Sequence, residues 1–216
     1  MYTPPAYRQE DPAVLHDLID EFGFATLVTL GPEGPTANHI PMLIDRGEGP
    51  YGRLRGHLSK GNPQFLEMRS EVPALAIFQG PHTYVSPNWY PSKQEHGKVV
   101  PTWNYVAVHA TGPLTVIEDD VGLMGIIDDL TRKHEQNFEN PWNISDAPDD
   151  YIQRMLKGII GFEIQIGKLE GKWKMSQNKP KIEDRRGVIE GLNASGNLAD
   201  GEVAAIMSKI LEINNL

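Results

Sequence analysis

A chain of 216 residues, 39% hydrophobic and 23% charged, is long enough to bury a core and too apolar for disorder. It has no cysteine, which excludes disulfides, thiolate catalysis and cysteine-held zinc or iron–sulfur centres. With 29 acidic against 20 basic residues, the formal charge of −9 argues against a nucleic-acid-binding surface, and no apolar run is long enough to span a membrane.

In chain order, Asp11-Pro12 is a helix cap followed by proline, and Val14, Leu15, Leu18, Ile19 and Phe22 recur at helical spacing up to Gly23. Residues 24–30 read as a buried strand, Gly31-Pro32-Glu33-Gly34 as a turn, and 36–45 as the returning arm of a hairpin. A strand over 52–58 ends in His57-Leu58. Ser59-Lys60-Gly61-Asn62-Pro63 then leads into a helix over 63–70, with Asn62 as N-cap and Pro63 at the first helical position. A helix start, the Lys60 ammonium, the Ser59 hydroxyl and a flexible Gly61 make either a cradle for a doubly charged anion or an ordinary capped turn.

Residues 74–78 form the next apolar strand, Gly80-Pro81 a turn, and 82–86 a further strand. A long loop over 87–99 precedes the longest strand, 102–117, with a bend or bulge at Gly112-Pro113. A helix capped by Asp119 or Asp120 runs to Glu135; a short helix near 149–157 and a strand over 159–166 follow, then a turn around Gly167 and Gly171. The last helix, roughly 200–213, carries Val203, Ile206, Met207, Ile210 and Leu211 on one stripe. Closely spaced strands with inserted helices predict a β-barrel with α decoration, one domain over 1–216 with a helical segment from about 180.

Two clusters invite a ligand. Tyr84, Trp89, Tyr90, Trp103 and Tyr105 crowd a Pro-bearing stretch, forming either aromatic walls for a planar ligand or a small core or subunit interface. Trp173 and Lys174 suit a cation-bearing lid, and Gln177 and Asn178 offer donors and acceptors for a heteroaromatic edge; the alternative is a strand end and a helix start at Asn178 and Pro180. His39, His57 and His109 fall on strands and His82 and His96 at loop edges, without metal-ligand spacing.

Taken together and in order, these segments resemble the PaiB family of FMN-binding split-barrel proteins. The resemblance runs through Tyr2-Thr3-Pro4, Asn38-His39-Ile40-Pro41, His57 to Pro63, Tyr84 to Tyr90, Val100 to Tyr105 and Gly171 to Lys179. It implies a mainly β fold with α elements (α+β), a six-stranded split barrel with flanking helices, and a homodimer with FMN at the subunit interface. It implies phosphate binding at Ser59 and Lys60, with Gly61 where related barrels carry a second cation and Lys174 or Lys93 of a second copy as the replacement. Asn38, His39 and His57 are expected near the flavin ring, facing backbone amides of the first two strands, with Trp103 or Trp89 stacked on it. Asn62, Asn104, Gln177 and Asn178 complete the expected cofactor set. Family members are negative transcriptional regulators of sporulation and protease production. The acidic balance favours action through flavin-linked dimer state or a protein partner over direct DNA readout. Alternatives are a flavin-dependent oxidoreductase of the pyridoxamine-phosphate-oxidase-like class and, less favoured, a haem-handling barrel, since no histidine follows position 134. The missing cysteines and the absence of a basic-then-apolar N-terminal segment fit the cytoplasm.

Overall fold

The structure, a computed structural model, describes residues 1–68 and 71–213. In chain order these form β1 (Arg8–Gln9), α1 (Pro12–Glu21), β2 (Phe24–Gly31), β3 (Gly34–Asp45), β4 (Arg53–Ser59), α2 (Pro63–Glu67), β5 (Ala74–Val85), α3 (Ser92–His96), β6 (Thr102–Gly112), β7 (Leu114–Ile117), α4 (Asp120–Glu135), α5 (Asp149–Leu156), β8 (Ile159–Gln165), β9 (Lys168–Lys174), α6 (Ile182–Ala194) and α7 (Leu198–Ile213). Nine strands, rather than the six implied by the resemblance, follow the order β1-β9-β6-β5-β2-β3-β4-β8-β7, and among the described residues this order has two ends. Mainly antiparallel sheet with flanking helices is the architecture.

The chain divides into two compact units. One comprises Met1–Glu10, Gln79–Ala107 and Glu170–Leu216; the other comprises Asp11–Phe78 and Val108–Leu169. In the second, Asp11 and Asn62 cap α1 and α2 through their side chains, each with proline in the first turn, and Asp119 caps α4. Leu43 of β3 packs with Ile126 and Leu130 of α4, covering one sheet face. Gly56 pairs with Phe162, and the ring occupies the space a Cβ at position 56 would take, 2.7 Å away. In the first unit, Gly187 and Gly191, one turn apart on α6, let Trp89 approach closely. A Cβ at Gly187 would stand 2.1 Å from the Trp89 carbonyl oxygen, and one at Gly191 would stand 2.5 Å from ring atoms. Buried Asp184 accepts from the Ser92 N–H (3.0 Å) and hydroxyl (2.8 Å), tying α3 to α6.

Several boundaries differ from expectation. Residues 74–85 form one strand rather than two, because the chain stays extended through Gly80-Pro81. Buried positions run 74, 76, 78 and 80, then 83 and 85, a one-residue slip that accommodates a proline without an N–H. The strand over 102–117 is two strands parted at Pro113. The loop over 87–99 contains a 3₁₀ turn, Pro87–Trp89, and α3. Gly171 lies inside β9, and the C-terminal segment is two helices, with α6 starting after Lys181 instead of at Asn178. The helix expected over 63–70 ends at Glu67, and residues 69 and 70 lie outside the described residues. Among the described residues no helix is long and apolar enough to cross a membrane.

Candidate functional site

At the end of β4, Ser59 pairs with Ile159 at the start of β8, and the Lys60 N–H donates to the Gly158 carbonyl at 2.9 Å. Strand alternation buries Leu54, Gly56 and Leu58 in the core and turns His57 and Ser59 to the other face. There His39, His57, Ser59, Arg154 and Met155 border an open cleft of about 500 Å³ in the second unit, within the size range of small-molecule sites. The His57 Nδ1 is buried with no hydrogen-bond partner, a polar atom that a ligand can satisfy.

Burial also pushes the His57 pKa below its usual 6.5. Between the lowered folded value and about 6.5 the folded chain binds fewer protons than the unfolded chain, so stability rises with pH there and falls on acidification. Denaturant midpoints followed from about pH 7.5 to about 5.5 should decline, and His57→Gln should flatten that decline; an unchanged slope would remove His57 as its source.

The turn after β4 is organised by its own side chains. Ser59 Oγ accepts from the Gly61 N–H at 3.2 Å, which leaves its hydroxyl proton to donate elsewhere. Asn62 Oδ1 accepts from the Gln64 N–H at 3.0 Å, and the Lys60 side chain is exposed. At five residues α2 offers little macrodipole. An anion at this turn would have to be held by side chains.

Asn38 and His39 were both expected near one ring, yet neighbours on a strand point to opposite faces. Asn38 Nδ2 donates to Gln64 Oε1 at 2.7 Å, and Gln64 Nε2 donates at 3.1 Å to both the Leu27 and Thr36 carbonyls. Asn38 thus helps fasten α2 to the β2–β3 hairpin, while His39 lies on the cleft side, its ring 6.1 Å from that of Phe24. Gln64, 2% exposed, was not singled out from sequence; a lone Gln inside a helix carries no local signal of burial.

The remaining expected residues fall in the first unit. Asn104 is fully buried, its Oδ1 accepting from the Ser176 hydroxyl at 3.1 Å and its Nδ2 facing Met207 Sδ at 3.3 Å. Gln177 accepts from the Met175 N–H and donates to the Trp173 carbonyl, both at 2.6 Å, bracing Ser176 in a left-handed conformation with φ 63°. Lys174 donates to Thr102 Oγ1 at 2.5 Å and to the Trp103 carbonyl, and burial, then the nearby Lys172 ammonium, lower its pKa. Asn178 is exposed. Trp103, 53% exposed, stands beside His82 and Tyr84 in an outward aromatic row, and half-buried Trp89 borders a second open groove with Gln94 and Glu190.

Residues 1–168 match the family described as "Putative FMN-binding domain". The protease synthase and sporulation protein PAI 2 of Bacillus subtilis is 31% identical over 98% of this chain and 99% of its own length. The chain belongs to the PaiB family of FMN-binding proteins. FMN is the cofactor of this family's domain. An uncharacterised PaiB relative of Emericella nidulans is 35% identical over 96% of each chain. In fold, this PaiB-family chain is similar to the FAD and haem binding protein of Mycobacterium smegmatis, with a TM-score of 0.58 at 19% identity over 88% of this chain and 80% of that one. It is equally similar to a conserved hypothetical protein of Mycobacterium tuberculosis, with a TM-score of 0.58 at 12% identity over 84% and 96%.

Proposed function

We propose that the chain binds FMN with the phosphate at Ser59 and Lys60 and the ring system along His39 and His57, and that it serves as a flavin-linked negative transcriptional regulator. The cleft carries this reading: it brings three of the expected residues together beside an orphaned imidazole nitrogen. Bound flavin supplies one- or two-electron chemistry; the chain supplies the phosphate hydrogen bonds, the ring's polar contacts and the orientation of both.

The partner that completes the site is a second copy of the chain. Supporting this is the outward side of the β2–β3 pair, where Phe24, Val28 and Leu30 lie opposite Pro41, Ala37 and Pro35, with Phe24 69% exposed. Ile77 and Leu75 of β5 extend the same apolar row through their pairing with Thr26 and Val28. A homodimer covering that row is a cytoplasmic assembly that also carries exposed Trp103 and half-buried Trp89, with Asn104, Lys174, Gln177 and Asn178, as further cofactor candidates. Regulation then passes through dimer geometry or a protein partner, in keeping with a chain of net charge −9.

The test is a flavin fluorescence titration of the native protein, with sizing of the apo and loaded forms. Ser59→Ala/Lys60→Ala should weaken FMN about 10- to 100-fold, the effect of losing charge-assisted phosphate bonds. An unchanged affinity would move the phosphate elsewhere, and a loaded monomer would remove the dimeric site.

A further inference from the structure

We infer that Arg154 is the second cation of the phosphate subsite, giving the cleft its selectivity for a phosphorylated flavin; this rests on the FMN reading above. A phosphate dianion held only by Ser59 and Lys60 keeps an unmatched negative charge, because the next position is Gly61. Lys174 and Lys93, the candidates from sequence, already have acceptors: Lys174 has Thr102 and the Trp103 carbonyl, and Lys93 has Asn88 Oδ1 at 2.6 Å.

The fold brings Arg154 to the place where the cation is missing. The Ser59–Ile159 pairing and the Lys60–Gly158 hydrogen bond set the last turn of α5 beside the end of β4, and both Arg154 and Ser59 line the cleft. The guanidinium is directed by neighbours on its own helix. Its Nη2 lies 3.4 Å from Asp150 Oδ2 and its Cζ lies 5.9 Å from the Tyr151 ring centroid. The Asp150 pair is 65% and 78% exposed, so it is weak and readily exchanged for a dianion. A planar five-donor group can take two phosphate oxygens at once, leaving Lys60 to act as a point charge from the solvent side.

Two probes, FMN and riboflavin, differ at the phosphate, and titrating both separates this inference from the reading beneath it. Wild type should prefer FMN; Arg154→Gln should lower FMN affinity about 10- to 100-fold with riboflavin affinity and denaturation midpoint unchanged, and Arg154→Lys should restore part of the preference. If Arg154→Gln leaves the FMN preference intact, or weakens both flavins equally, Arg154 is not the phosphate cation although the FMN reading stands. If wild type binds neither flavin, both fall.

Discussion

Gly112→Ala should destabilise the protein by about 3 kcal/mol or more, because the added methyl has no space that a small movement could open. A Cβ at position 112 would stand 1.9 Å from the Gln165 carbonyl oxygen and 2.8 Å from its carbon. Gln165 pairs with Arg53, and the neighbouring Gly167 N–H donates to the Thr111 carbonyl at 3.0 Å, so backbone hydrogen bonds hold both sides of the close approach. Gly125→Ala is the control. Nothing lies within 4 Å of its Cβ position on α4, and helix propensity alone predicts a gain of up to about 1 kcal/mol. Urea midpoints of the two variants should move in opposite directions; equal shifts would reject the steric account.

Gln64→Leu should cost about 2–4 kcal/mol and weaken flavin binding with it, since one buried amide serves three partners. Leucine fills a similar volume but leaves the Leu27 and Thr36 carbonyls and the Asn38 amide without it. The Gln64 N–H is also the group that Asn62 caps, so a displaced α2 loosens the turn that carries Ser59 and Lys60. Denaturation and FMN titration on one sample check both halves. A variant as stable as wild type with unchanged affinity would show that the network is dispensable.

Local chemistry made much of this legible. Asp11-Pro12 and Asn62-Pro63 announced two helix starts because capping needs only a side-chain acceptor and a preset φ, both visible in a few residues. The resemblance names His39, His57 and Ser59 together, and the structure brings them to one cleft. What sequence could not supply is long-range. Arg154 sits nearly a hundred positions beyond Ser59, and only the β4–β8 register brings the two to one cleft. Asn38 and His39 look like one motif in sequence, but a strand sends them to opposite faces. Gly187 and Gly191 gain meaning only from the Trp89 indole laid across them. Asn104 and Gln177 look like ligand amides in a string of polar residues, and only the fold shows that each also completes hydrogen bonding around the left-handed Ser176.

The strand order terminates in β1, two residues, and β7, four. Edge strands that short give an incoming strand almost nothing to zip onto, which guards against cross-β stacking in concentrated solution. Lateral growth by strand addition is thereby disfavoured at both ends of the order.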